Sequence, residues 1–277
     1  DIYEGFAKGK ALDMSQGGRV LNYDVRVTGT KDYADIANSD VVVVTSGFPR
    51  QPGMTREDLI GKNADIVSQV GEGIRQHAPN SIVVMVTNPL DLMTYHMQKV
   101  TGFEHSRVVG QAGILDSARM THFIAQAVGC SNEDVQAMVL GGHGDTMVPL
   151  PRYTTVNGIP VSQLLSDEEV EAICQRTASG GGEIVKLLEK GSAFYAPGSA
   201  AAIMAEAILE DRKRVLPCST YLSGEYGMDD IYIGVPVVLG RNGVERIIEL
   251  ELAEKELDSL QGSGSFYKEQ LSEILGY

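Results

Sequence analysis

Hydrophobic and polar positions repeat along this chain with two different rhythms. In the first part, short unbroken apolar runs stand between longer segments of helical period. Residues 41–45 (Val-Val-Val-Val-Thr) and 81–86 (Ser-Ile-Val-Val-Met-Val) are such runs, and uniform β-branched apolarity predicts strands buried on both faces of a parallel sheet. Residues 107–110 predict a third strand and residues 25–28 a weaker one. Between them lie a short mixed helix over 4–14, a helix from Thr55 to about residue 77 and another over 91–100. Thr55 followed by Asp58 is a capping arrangement for the second of these. Strands alternating with helices specify a parallel α/β sheet, whose ligands gather at the carboxyl ends of its strands.

Beyond Pro149 the texture changes. Asn157-Gly158 sits inside 153–161 as a hairpin turn. Ser166 with Glu169 caps a long helix to about residue 189, through Gly180-Gly-Gly182. No strand precedes that glycine run, so its position does not make it a phosphate cradle. An alanine-rich helix over 193–212 follows, then antiparallel strands over 215–222, 231–239 and 244–250, and an amphipathic helix over 251–275 closes the chain. The expected boundary divides the chain into 1–112 and 113–277, the second with α+β texture. No internal repeat is found.

Composition narrows the class. At 277 residues the chain can bury a large core. A net charge of −14 argues against nucleic acid as the main partner. No apolar run is long enough for a bilayer, and the first residues lack the basic and apolar regions of a signal peptide. Cys130, Cys174 and Cys218 are far apart and odd in number, which fits a reducing cytoplasm. The five histidines show no metal-ligand spacing, and no Gly-x-Ser-x-Gly elbow suggests a hydrolase.

Three loops carry the candidate chemistry. Asp116 and Arg119 lie three apart at the start of a helix, on neighbouring ridges of one face. His143 follows the apolar run 135–140, set among glycines that let the backbone approach a ligand. An imidazole held by a carboxylate beside a guanidinium is an acid–base site for a carboxylate-bearing substrate. The plain alternatives are a surface ion pair and a turn histidine. The loop 47–56, with Arg50, Arg56, two prolines and two glycines, suits a lid closing over an anion, or else a solvated loop. Asn88-Pro89, at a strand end, is turn chemistry with a proline that can be cis; its asparagine could hold a substrate oxygen or a ribose hydroxyl.

Arg50-Gln-Pro-Gly-Met-Thr-Arg56, Thr87-Asn-Pro-Leu-Asp91, Gly113-Ile-Leu-Asp-Ser-Ala-Arg119, Gly141-Gly-His-Gly-Asp145 and Gly234-Val-Pro236 together resemble the malate dehydrogenases of the lactate-dehydrogenase-like type found in bacteria. The likeness covers nearly the whole length and implies a Rossmann-type sheet, NAD as cofactor, a dicarboxylate substrate, a homodimer or homotetramer, and a place in the tricarboxylic acid cycle. It implies that His143 exchanges the hydroxyl proton and that Asp116 holds its ring. Arg119 would grip the first carboxylate, Arg56 polarise the ketone oxygen, and Arg50 pair with a second carboxylate. Asn88 would touch both substrate and cofactor, with Asp1, Asn63 and Thr87 also on the cofactor side. Asp1 stands where the family's ribose-binding acid would be, which implies NAD over NADP.

One family feature is missing. No Gly-x-Gly-x-x-Gly occurs in these residues, and the first strand, glycine loop and helix of such folds would precede Asp1. A longer native chain is the favoured expectation. The alternatives are a lactate or broader 2-hydroxy-acid dehydrogenase and a truncated dicarboxylate-binding form without activity.

Overall fold

The computed structural model describes residues 1–48 and 55–277; the side chain of Arg56 is also outside the description. Arg50 and most of the expected lid therefore lie outside the described residues. The chain opens on α1 (Glu4–Leu21), longer than its sequence pattern predicts and ended by Asn22 in the left-handed region. Only Ala11 and Gly18 of α1 are buried. Residues 25–28 form no strand: the alternation is there, but no neighbouring strand takes up their backbone groups.

The parallel half then assembles as expected. It consists of β1 (Val41–Val44), α2 (Arg56–His77), β2 (Ile82–Met85), α3 (Leu90–Thr101) and β3 (Val108–Gly110). Val42 stands opposite Val83, and Val83 opposite Val108. Thr55 caps α2 by accepting from the Asp58 N–H at 3.1 Å while the Asp58 carboxylate accepts from the Thr55 N–H at 3.2 Å. That exchange satisfies two backbone donors at once. Nearly all of α3 is buried, Leu90 to Met97 without interruption.

After α4 (Gly113–Val128), the apolar run 135–140 divides into two short strands, β4 (Val135–Gln136) and β5 (Val139–Gly141). They belong to different sheets. β4 joins β7 (Thr155–Val156) and β8 (Ile159–Pro160), a hairpin around Asn157 and Gly158, both at positive φ. β5 instead pairs with β6 (Met147–Pro149). α5 (Asp167–Leu188) begins at Ser166 with its capping box, and α6 (Tyr195–Leu209) leads to β9 (Arg214–Ser223), β10 (Asp229–Gly240) and β11 (Gly243–Ile247). α7 (Glu254–Gln270) and a last π turn, Leu271–Leu275, close the described chain.

The sheet does not stop at the expected domain boundary. Its order is β1-β2-β3-β9-β10-β5-β6, with β11 on β10. The parallel edge passes to the antiparallel half where Gly110 of β3 faces Ser219 of β9. One core, from Val44 to Leu271, runs under both halves, and a second packs α4 against α5 around Met120, Ile124, Val139 and Ile173.

Candidate active site

The site forms where β5 ends. Gly141 adopts φ +82, turning the chain out of the sheet. A Cβ on the next residue, Gly142, would lie 1.9 Å from the Tyr267 ring, so only glycine lets the loop pass under α7. The Gly142 N–H donates to Ser263 Oγ at 3.0 Å, fixing the loop against the same helix. His143 follows and is largely enclosed.

Two helices hold it. From the first turn of α4, Asp116 Oδ2 lies 2.8 Å from His143 Nδ1 and Asp116 Oδ1 accepts from Arg119 Nη1 at 3.0 Å. Asp116 is 1% exposed. One buried carboxylate thus orients both ring and guanidinium. Ser117 Oγ accepts from the Val139 N–H at 3.0 Å, which ties α4 to the strand that carries the histidine. With Nδ1 engaged by Asp116, Nε2 is the ring nitrogen left for a substrate. Burial alone would push the His143 pKa down, but the Asp116 charge and hydrogen bond outweigh it and the net shift is upward.

From α3, Asp91 Oδ2 accepts the His143 backbone N–H at 2.8 Å and Oδ1 accepts from Ser219 Oγ at 2.7 Å. Burial raises this carboxyl to about 6, against the pull of its two hydrogen bonds. Asp91 has no role among the residues expected from sequence. The signal was an acid amid Leu-Asp-Leu-Met, where every neighbour is core. It anchors the histidine's backbone from behind.

The remaining expected residues surround the ends of β1 and β2. The Asn88–Pro89 bond is cis, and the Asn88 side chain is exposed. Thr87 Oγ1 donates to Ser46 O at 2.8 Å and lies 3.3 Å from Val44 O. Asn63, 2% exposed, accepts from the Phe48 N–H at 2.6 Å and donates to Asn88 O at 2.6 Å. Both side chains are bonded to backbone, and so they hold the two loops in register with each other. A Cβ on Gly47 would come 2.8 Å from Thr87 Cγ2, so bare backbone is required there. That cradle, with the Asn88 carboxamide beside it, fits a dinucleotide crossing the strand ends. Asp1 is exposed, its Oδ1 accepting from the Tyr3 N–H at 2.9 Å. The structure brings His143, Asp116 and Arg119 together; Arg50 and the Arg56 side chain are not described.

A Rossmann-type sheet with a His–Asp–Arg array gathered at its strand ends is the framework of a nicotinamide-dependent oxidoreductase. The chain belongs to the lactate/malate dehydrogenase family: the model of its NAD-binding domain matches residues 1–110 and that of its α/β C-terminal domain residues 114–276. It is 53% identical over 274 residues to the malate dehydrogenase of Methanosarcina mazei, covering 99% of this chain and 89% of that protein. It is 58% identical over 257 residues to that of a Roseiflexus species, 93% of this chain and 83% of that one. Among solved structures, malate dehydrogenase from Salinibacter ruber superposes with a TM-score of 0.95 at 49% identity, over 99% of this chain and 88% of that one. Lactate dehydrogenase from Cryptosporidium parvum, solved with lactic acid and nicotinamide adenine dinucleotide, gives 0.95 at 43% identity, over 100% and 88%.

Proposed function

We propose that the protein is an NAD-dependent malate dehydrogenase that interconverts (S)-malate and oxaloacetate. The observation that carries the reading is the shared carboxylate: Asp116 holds His143 with one oxygen and Arg119 with the other. An acid–base group and a carboxylate grip are thereby fixed relative to each other before substrate arrives.

NAD, when bound, takes or supplies the hydride at carbon 2. The chain's own groups do the rest. His143 Nε2 accepts the hydroxyl proton of malate, or gives it to the forming alkoxide of oxaloacetate. Asp116 keeps Nδ1 protonated and stabilises the imidazolium. Arg119 pairs with the carboxylate next to the reacting carbon. Arg56 polarises the ketone, and Arg50 meets the second carboxylate. Asn88 touches the substrate oxygen and the cofactor ribose, Asp1 the adenosine ribose, and Asn63 and Thr87 shape the cofactor's wall. Residues 1–112 serve as the dinucleotide-binding domain and 113–277 as the catalytic one.

The three cysteines are free, in keeping with a cytoplasmic enzyme. No helix among the described residues is long and apolar enough to cross a membrane. Exposed apolar side chains on α1 and α5, such as Phe6 at 60% and Leu187 at 76%, support a homodimer or homotetramer. A role in the tricarboxylic acid cycle accords with the substrate. The lactate-type reading is kept alive by the 43%-identical lactate dehydrogenase, which superposes as well as the malate enzyme does.

His143→Asn tests the assignment. Turnover of oxaloacetate should fall by about 10²-fold or more, while NADH affinity by fluorescence titration stays within about twofold. Loss of NADH binding in parallel would show a structural residue instead of a proton donor.

A further inference from the structure

Gly180-Gly-Gly182 has no part in the chemistry above, and three consecutive glycines are a poor way to build the middle of a helix. They lie within α5, whose backbone is otherwise regular. Their surroundings differ sharply. A Cβ on Gly180 would stand 3.2 Å from Arg119 Cδ and 3.7 Å from Nε, and one on Gly181 would stand 3.3 Å from Arg119 Nη2 and 3.7 Å from Cζ. A Cβ on Gly182 would meet nothing within 4 Å. Gly180 is buried, Gly181 half-buried and Gly182 exposed.

Arg119 is confined from two sides. Asp116 holds Nη1 at 3.0 Å, and the Arg119 side chain is only 14% exposed. Its Nε is buried and finds no acceptor among the described residues. An ordinary side chain at 180 or 181 would therefore press on a guanidinium already tied at one end. Contacts of 3.2–3.3 Å are tighter than a Cβ normally makes, so the long Arg119 chain would have to give. A displaced fork loses the paired geometry on which carboxylate recognition depends.

We propose that Gly180 and Gly181 are positioning residues for Arg119: the bare backbone of α5 is the seat against which the guanidinium is set to grip the substrate carboxylate. The inference rests on the role proposed above for Arg119 and extends it to a segment some sixty positions further along the chain. The grip is then built jointly by the acid of α4 and the missing side chains of α5. Gly182 is the internal control, because it shares the helix and the sequence but not the contact.

The test is a set of single variants of the full-length protein, Gly180→Ala, Gly181→Ala, Gly182→Ala and Arg119→Lys. Each is read by KM for oxaloacetate, kcat, NADH affinity and Tm. Alanine favours helix at all three glycine positions, so a purely structural run predicts a higher Tm and unchanged KM for all three. The proposal predicts that pattern for Gly182→Ala alone. Gly180→Ala and Gly181→Ala should raise KM by about tenfold or more, with NADH affinity unchanged. KM values for these two that match wild type, or a Gly182→Ala variant that loses substrate affinity equally, would overturn it. So would loss of NADH affinity together with KM. Arg119→Lys separates the levels: if it leaves KM unchanged, the assignment of Arg119 itself fails; if it raises KM while the glycine variants do not, only the seat fails.

Discussion

Asp116 divides its two oxygens between an imidazole and a guanidinium, and that division sets the site's pH behaviour. The pair holds His143 above its ordinary value of 6.5 in the folded protein. A raised folded-state pKa means the charged pair's contribution to stability is complete below the unfolded value and is lost as pH rises through the folded one. Chemistry follows the same proton. With His143 as the proposed proton donor, reduction of oxaloacetate needs imidazolium, so its kcat/KM should hold at low pH and fall above 6.5. Oxidation of malate needs the neutral ring, so its kcat/KM should rise across the same interval. Profiles measured in both directions check this; a reduction limb that falls below 6.5 would mean that Asp116 does not govern the ring.

At the scale of elements, the loop carrying His143 is shaped by a helix more than a hundred residues later. α7 places Ser263 Oγ under the Gly142 N–H and Tyr267 over the position where Gly142 lacks a side chain. Ser263 also donates to Thr146 Oγ1 at 2.8 Å, so both ends of the turn are clamped. Gly142→Ala should therefore cost about 1–3 kcal/mol or more, as overpacking of a closed site does, and lower Tm and kcat together. An unchanged Tm would show that the loop can shift away from α7 freely. The helices were legible from sequence where caps announced them: Thr55 with Asp58 and Ser166 with Glu169 both form capping boxes. The strands were less so. Residues 25–28 have the alternation but no partner strand, and 135–140 looks continuous although its two halves pair with different sheets. Pairing is a long-range property that local period cannot report.

Across the whole molecule, the parallel half and the antiparallel half share one sheet, joined at Gly110 and Ser219. The sequence suggested two successive textures, and both exist; their edge-to-edge union was invisible because β9 arrives over a hundred residues after β3. That union matters for the site. It brings Ser219 of β9 to Asp91 of α3, and Asp91 to the backbone of His143. The His143–Asp116–Arg119 array was readable because glycines and spacing marked it, whereas Asp91, Ser263 and Gly180 were hidden: their partners are set by tertiary packing. The proposed function gives substrate choice to Arg50, which lies outside the described residues. A second guanidinium facing a substrate with one carboxylate would be left unpaired, which discriminates strongly.

The most direct test is the ratio of kcat/KM for oxaloacetate over pyruvate with NADH, measured for the wild type and Arg50→Gln. The account predicts a wild-type ratio of about 10³ or more that collapses in the variant, through loss of oxaloacetate activity and a gain on pyruvate. A wild-type enzyme that prefers pyruvate, or a ratio unmoved by the substitution, would contradict it.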